Sequence, residues 1–121
     1  MIKVLLLQFS TDPACAQRRG MLQKAGVTVA EAEPAWPTFF EAVNTQRPDI
    51  IVIAASTIPS HAFEAARYLG EGFNTRDIPV ILVDVAPKDL ARAHESAPRA
   101  QIVERSALGD VMAAAVENTR E

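Results

Sequence analysis

The chain has 121 residues, 49% of them hydrophobic and 22% charged, with 12 Lys and Arg against 15 Asp and Glu for a formal net charge of −3. That length suits one domain that buries roughly two-thirds of its unfolded surface without staples. The mild acidity excludes a dedicated nucleic-acid binder, whose basic face would have to be drawn from only 12 cations. The single cysteine excludes an internal disulfide and a multi-cysteine zinc site. The longest apolar run, Val4-Leu5-Leu6-Leu7, falls far short of the ~20 residues that span a bilayer, and its short, weakly charged front does not read as a signal peptide. The expectation is a single cytoplasmic domain over residues 1–121. The end at Arg120-Glu121 suits a whole protein or a domain of a longer one.

In chain order, Ile2-Lys3-Val4-Leu5-Leu6-Leu7 is short and nearly continuous in apolar residues, as a strand covered on both faces of a parallel sheet reads. Asp12-Pro13 offers an N-cap and a first-turn proline, and Gly26 closes the first helix. Val27-Thr28-Val29 predicts a weaker strand nearer a sheet edge. Trp36, Phe39, Phe40 and Val43 fall at i, i+3, i+4 and i+7, one stripe of a second helix. Ile50-Ile51-Val52-Ile53 predicts a third strand, and Ser60 opens a third helix carrying Ala62, Phe63, Ala66 and Leu69. Val80-Ile81-Leu82-Val83 is the fourth strand, followed by a weaker helix from Pro87 through Leu90 to His94. Ile102-Val103 is a short fifth strand. Ser106 caps a last helix with the stripe Leu108, Val111, Met112, Ala115 and Val116.

Five strand–helix units with no linker, repeat or low-complexity stretch predict an α/β fold. The expected form is a doubly wound, flavodoxin-like (βα)5 three-layer sandwich around a parallel five-stranded sheet in the order 2-1-3-4-5. A closed eight-stranded barrel would need about twice the chain. Such folds place their site at the carboxyl ends of the central strands. The residues to inspect are therefore Gln8, Phe9 and Ser10, Ala54 to Thr57, Asp84, and Glu104 with Arg105.

Lys3-Val4-Leu5-Leu6-Leu7, Asp12-Pro13, Arg47-Pro48-Asp49-Ile50-Ile51-Val52-Ile53, Ile78-Pro79-Val80-Ile81-Leu82-Val83 and Ala100-Gln101-Ile102-Val103-Glu104-Arg105 follow one another at a spacing that resembles the receiver domain of bacterial response regulators, the phosphorylated half of two-component systems. The resemblance covers nearly the whole chain and implies a site that this sequence does not furnish. A receiver's phosphoacceptor Asp would fall at Ala54. Its paired magnesium-binding acids would fall at Gln8 and Phe9, one neutral amide and one hydrocarbon ring where a hard cation wants several oxygens. Asp84 stands where the resemblance implies a hydroxyl, Arg105 where it implies lysine, and Ile102 where it implies the aromatic switch residue. Asp12 sits one residue late; it either caps the first helix or reaches the old magnesium pocket.

Other candidates are weaker. Asp84 and Arg105 either pair at the ends of adjacent strands, the arginine fork replacing the phosphoryl–lysine contact, or both face water. Cys15 in the first turn of the first helix is either activated by the helix dipole or buried and inert. His61 lies near the rim of the site and His94 late in a helix; neither has ligand-spaced neighbours for zinc. Of the adjacent pair Arg18-Arg19, one is expected to face water. Trp36 either packs with Phe39 and Phe40 or marks an interface. The five glycines never approach phosphate-loop spacing.

The function these readings predict is a pseudo-receiver, a phosphorylation-independent signalling module without catalytic residue, cofactor or metal. It would dock a signalling protein or a second copy of itself and touch neither nucleic acid nor membrane. The expected surface is the face of the fourth helix, fifth strand and fifth helix, with Arg92, Arg99, Ile102 and Ala114; the runner-up is the first helix with Arg18 and Arg19. The alternative function is a small-ligand sensor using a remodelled pocket around Phe9, Ala54 and Asp84. A third reading, an enzyme working through Cys15 or Asp84, has no supporting motif. A docking module predicts an exposed apolar patch on one helix face; a sensor predicts a concave pocket at the strand ends.

Overall fold

The computed structural model describes residues 2–119; Met1, Arg120 and Glu121, the ends of the expected domain, lie outside the described residues. Strands β1 (Lys3–Leu7), β2 (Thr28–Ala32), β3 (Ile50–Ala54), β4 (Val80–Val83) and β5 (Gln101–Val103) alternate with helices α1 (Cys15–Lys24), α2 (Thr38–Gln46), α3 (Pro59–Glu71), α4 (Leu90–Ser96) and α5 (Leu108–Thr119). All strand pairs are parallel, in the order β2-β1-β3-β4-β5. This is the doubly wound sandwich that the alternating pattern predicts.

The two-residue period of the strands divides the core into two layers. Leu5, Leu7, Ile51, Ile53 and Leu82 point to one face, where Phe39 of α2, Phe63 and Leu69 of α3 and Ala93 of α4 cover them. Val4, Leu6, Val52 and Val83 point to the other, under Leu22 of α1 and Leu108 and Met112 of α5. Residues of both sets are almost wholly removed from water. Each large aliphatic side chain so buried contributes about 1.5–3 kcal/mol, which is why near-continuous apolar runs settle in the centre of this sheet.

The helix starts differ from the capping signals. α1 begins at Cys15, so Asp12 lies ahead of the cap position that Ala14 occupies. α3 begins at Pro59, one residue before Ser60. Trp36 precedes α2, joined to Pro37 by a cis peptide bond. A short 3₁₀ turn, Arg105–Ala107, contains Ser106 ahead of α5, and another, Pro87–Asp89, precedes α4. These turns shorten α4 to 7 residues.

Candidate functional site

In a parallel βα unit the start of each helix lies beside the carboxyl end of the strand before it. Ala14, Arg18 and Leu22 recur at four-residue intervals and are all buried, so they form the sheet-facing stripe of α1. Leu22 reaches the apolar layer. Arg18, one turn nearer the strand ends, is carried into the site with 0% of its side chain exposed. A buried guanidinium carries a desolvation cost of several kcal/mol and must be paired and hydrogen-bonded on most of its fork.

Here every arm of the fork is used. Nε donates to Asp84 Oδ2 at 2.8 Å, and Nη1 donates to Gln8 Oε1 at 3.1 Å. Nη2 donates to Ser56 Oγ at 2.7 Å and Asp12 Oδ2 at 3.2 Å, and lies 2.6 Å from Asp84 Oδ2. Around this centre the partners hold one another. Ser56 and Thr57 donate their hydroxyls to Asp12 Oδ2, Thr57 at 2.7 Å, while the Ala14 amide donates to Asp12 Oδ1 at 2.9 Å. Asp12 is therefore not the N-cap of α1: Oδ1 orders the turn ahead of the helix, and Oδ2 enters the pocket.

Asp84 leaves β4 in the left-handed region, with φ of 61°, a conformation that Asp tolerates better than branched residues do. Arg105 Nε lies 3.0 Å from each carboxylate oxygen of Asp84, and its Nη1 donates to Gln17 Oε1 at 3.0 Å. The pairing of Asp84 with Arg105 is thus present, and it ties the start of α5 to α1. Asp12, Arg18, Asp84 and Arg105 alternate in sign, so their charges sum to zero in a site mostly closed to water. Gln8 extends the network outward: its Nε2 donates to Glu31 Oε1 at 2.8 Å and to the Cys15 carbonyl at 3.2 Å. Glu31 in turn pairs with Arg19.

The acid–base consequences follow from these contacts. Burial opposes ionisation of Asp12, but the bonds from Ser56, the Ala14 amide and Thr57, together with the charge of Arg18, outweigh it and hold the carboxyl well below the usual carboxylate range. The hydrogen bond from Arg19 likewise lowers Glu31, against its partial burial. Burial, and then the nearby charge of Asp12, push the Cys15 thiol up, and its S–H donates to the Phe9 carbonyl at 2.9 Å. Iodoacetamide at neutral pH is therefore expected to alkylate Cys15 more slowly than an exposed cysteine of ordinary pKa, since only the thiolate attacks. A rate equal to that of free cysteine would contradict this environment.

Of the residues expected at the strand ends, Gln8, Asp84 and Arg105 converge, and Asp12 joins them. The side chains of Phe9 and Ala54 add no polar atom. Phe9 sets its ring edge-on to His61 at 5.7 Å, and Ala54 is buried in β3. Asp12 Oδ2 and Asp84 Oδ2 are both committed to Arg18, so the donor set does not fit the magnesium ion that the receiver resemblance implies. Over the network lies an open cleft of about 340 Å³ lined by Asp12, Gln17, Ser56, Thr57 and Arg105.

Arg18 is the residue that the sequence reading misplaced. Of the adjacent pair, Arg19 is partly exposed and Arg18 is sealed in, so Arg18 belongs to no surface. Its signal was available in the Ala14, Arg18, Leu22 spacing, which puts it on the stripe of a buried leucine. Of the expected docking residues, Arg92 and Arg99 share one groove, while Ile102 and Ala114 lie apart from it. Arg92 stacks over Phe63 of α3 at 5.3 Å, and Arg99 donates to the Arg76 carbonyl at 3.0 Å; both line a groove between α3 and α4. Ile102 is half-buried against the α2–α4 layer, whereas Ala114 is exposed on α5 across the sheet. An apolar patch does exist elsewhere. Trp36, 59% exposed, contacts Phe39, Phe40 and Tyr68 at ring distances of 5.7, 5.3 and 4.9 Å.

No protein-family model matches the sequence, and no curated protein is similar to it. The fold has close counterparts among solved structures. A signal receiver domain of a signal transduction histidine kinase from Syntrophus aciditrophicus superposes with a TM-score of 0.74 at 20% identity, covering 98% of this chain and 89% of that one. A receiver domain of a sensor histidine kinase from Pseudomonas aeruginosa PAO1, with a magnesium ion coordinated in its active-site cleft, gives 0.67 at 18% identity over 92% and 93%. A phosphorylated cyanobacterial phytochrome response regulator gives 0.66 at 14% identity over 96% and 91%. The chain has the receiver fold.

Proposed function

We propose that this chain is a phosphorylation-independent receiver, a protein-docking module of bacterial signalling whose conformation is set by binding alone. The observation that carries the reading is Arg18. At positions where a receiver would hold a cation and accept a phosphoryl group, this chain carries its own cation, wired to Asp12, Asp84, Gln8 and Ser56. Ala54 supplies no carboxylate for an acyl phosphate. Arg105 holds Asp84 as a lysine would hold a phosphoryl group, so the resting charge pattern already resembles a neutralised site. No catalytic step is assigned: Asp84 is engaged by two arginines, and Cys15 is held as a thiol. The cluster of exposed Trp36 and Tyr68 on half-buried Phe40 supports docking of a protein, since half-exposed aromatic groups are favoured anchors. The cytoplasm is the compartment proposed for an acidic chain with one free thiol.

Incubation with acetyl phosphate or beryllofluoride plus magnesium is expected to leave the intact mass and the amide NMR spectrum unchanged. A stable adduct, or shifts spreading from Asp12, Asp84 and Arg105, would overturn the reading. The cleft over the network favours a second function, sensing of a small ligand. A carboxylate or phosphate metabolite that competed with Asp84 for Arg105 would then raise the melting temperature of the wild type, and Arg105→Ala would abolish that rise.

A further inference from the structure

A groove of about 840 Å³ runs between α3 and α4 and along the amino ends of β4 and β5, sharing no lining residue with the cleft at the strand carboxyl ends. Its floor is apolar, built from Ala66, Ile78, Val80, Ala97 and Phe63, whose ring lies under the Arg92 guanidinium. Its lips are charged in opposite order. Along α3 stand Glu64, Arg67 and Glu71, reading minus, plus, minus. Along α4 and the segment after it stand Arg92, Glu95 and Arg99, reading plus, minus, plus. Among the described residues, the only ion pair these six make is Arg67 with Glu71 at 3.4 Å, an exposed pair worth little.

Beside this groove Phe73 projects with 82% of its surface exposed. It stands on a fixed turn. Thr75 is buried and donates its hydroxyl to the Leu69 carbonyl at 2.6 Å, and Gly72 packs so closely on Thr75 that a Cβ would collide with it. The guanidinium of Arg76, itself a lining residue, lies 5.5 Å from the Phe73 ring. Arg76 thus links the Phe73 knob to the hollow beside it, and an isologous two-fold interface would use both on each copy.

We propose that this groove docks a second copy of the chain, each copy laying its Phe73 against the apolar floor of the other. The proposal rests on reading the chain as a protein-docking module, and it names that module's partner. Charge selects the occupant. A uniformly acidic or basic partner would set three of the six lip charges against a like charge, whereas the α3 lip of one copy complements the α4 lip of another at all three positions. Because each triplet reads the same in both directions, Arg67 meets Glu95 whether the two lips run parallel or antiparallel.

Sedimentation equilibrium of the full chain from micromolar to about 1 mM, a span of roughly 4 kcal/mol in association free energy, tests this. The wild type is expected to show a monomer–dimer equilibrium. Phe73→Asp should weaken it by roughly 30-fold or more, the effect of removing a central aromatic anchor. Arg67→Glu and Glu95→Arg should each weaken it about tenfold, and the double variant should restore it, because opposite charges again face each other. Phe73 and both lip residues are exposed, so circular dichroism should show every variant folded. A wild type that stays monomeric to 1 mM overturns the proposal, as does a dimer indifferent to Phe73→Asp or a double variant no better than the singles. None of these results touches the phosphorylation test, which judges the module reading separately.

Discussion

Arg18→Ala is expected to lower the unfolding free energy by about 3–5 kcal/mol, the cost of removing one partner from a buried charge cluster. The loss comes less from the missing attraction than from what remains. Asp84 Oδ2, Asp12 Oδ2, Gln8 Oε1 and Ser56 Oγ all accept from the one fork, and deleting it leaves two carboxylates in a site with little water. The same arithmetic predicts a gain. Four oxygens around one vacated position form a hard-cation cage that water can complete, so the variant should bind magnesium or calcium with a Kd of roughly 0.1–1 mM. Divalent cation at about 100 times Kd would then restore about 2.7 kcal/mol by mass action. The wild type should show no such stabilisation, since its cage is filled. Urea unfolding of both proteins with and without magnesium checks this. Equal stability of variant and wild type, or equal magnesium response, would show that Arg18 is not the internal cation of the site.

Asp12→Asn should cost about 2–3 kcal/mol at pH 7, as expected when charge-assisted hydrogen bonds are exchanged for neutral ones, and the cost should depend on pH in one direction. The folded carboxyl of Asp12 lies below its ordinary value of 3.8. The wild type then gains stability from ionised Asp12 at every pH above that ordinary value, and loses it as pH falls through the lower folded value. Asn cannot titrate. The difference between wild type and variant should accordingly be constant from about pH 5 to 8 and shrink below about pH 4. Chemical denaturation at pH 7 and pH 3 measures it. A difference that widened on acidification would require a raised folded pKa and would contradict the hydrogen bonds from Ser56, Thr57 and the Ala14 amide.

The architecture was legible in the sequence because parallel sheets leave a strong and local record. Ile50 to Ile53 and Val80 to Val83 are covered on both faces, so selection of apolar, β-branched residues is continuous there. The alternation of such runs with helical stripes leaves few topologies for a right-handed crossover chain. The strand-end positions Gln8, Asp84 and Arg105 were legible for the same reason: the fold dictates which loops converge. Element starts were less so. Ser106 looks like a cap and lies within a 3₁₀ turn instead, because the cap preference of serine is also a preference for turns.

The sequence by itself determined the (βα)5 order, the two core layers and the absence of a nucleophilic carboxylate at Ala54. Only the tertiary structure decided what fills the site. Arginine is read by default as a surface residue, since an isolated buried guanidinium costs more than a helix can repay. That default fails at Arg18 because its compensating partners are spread over the chain: Gln8 and Asp12 from one loop, Ser56 from a second, Asp84 from a third. No local window contains them, and only the packing of α1 against the ends of β1, β3 and β4 brings four oxygens around one fork. The same holds at the opposite end of the molecule, where Glu64, Arg67 and Glu71 look like an ordinary solvated helix face until α4 places the inverse triplet across a groove from them.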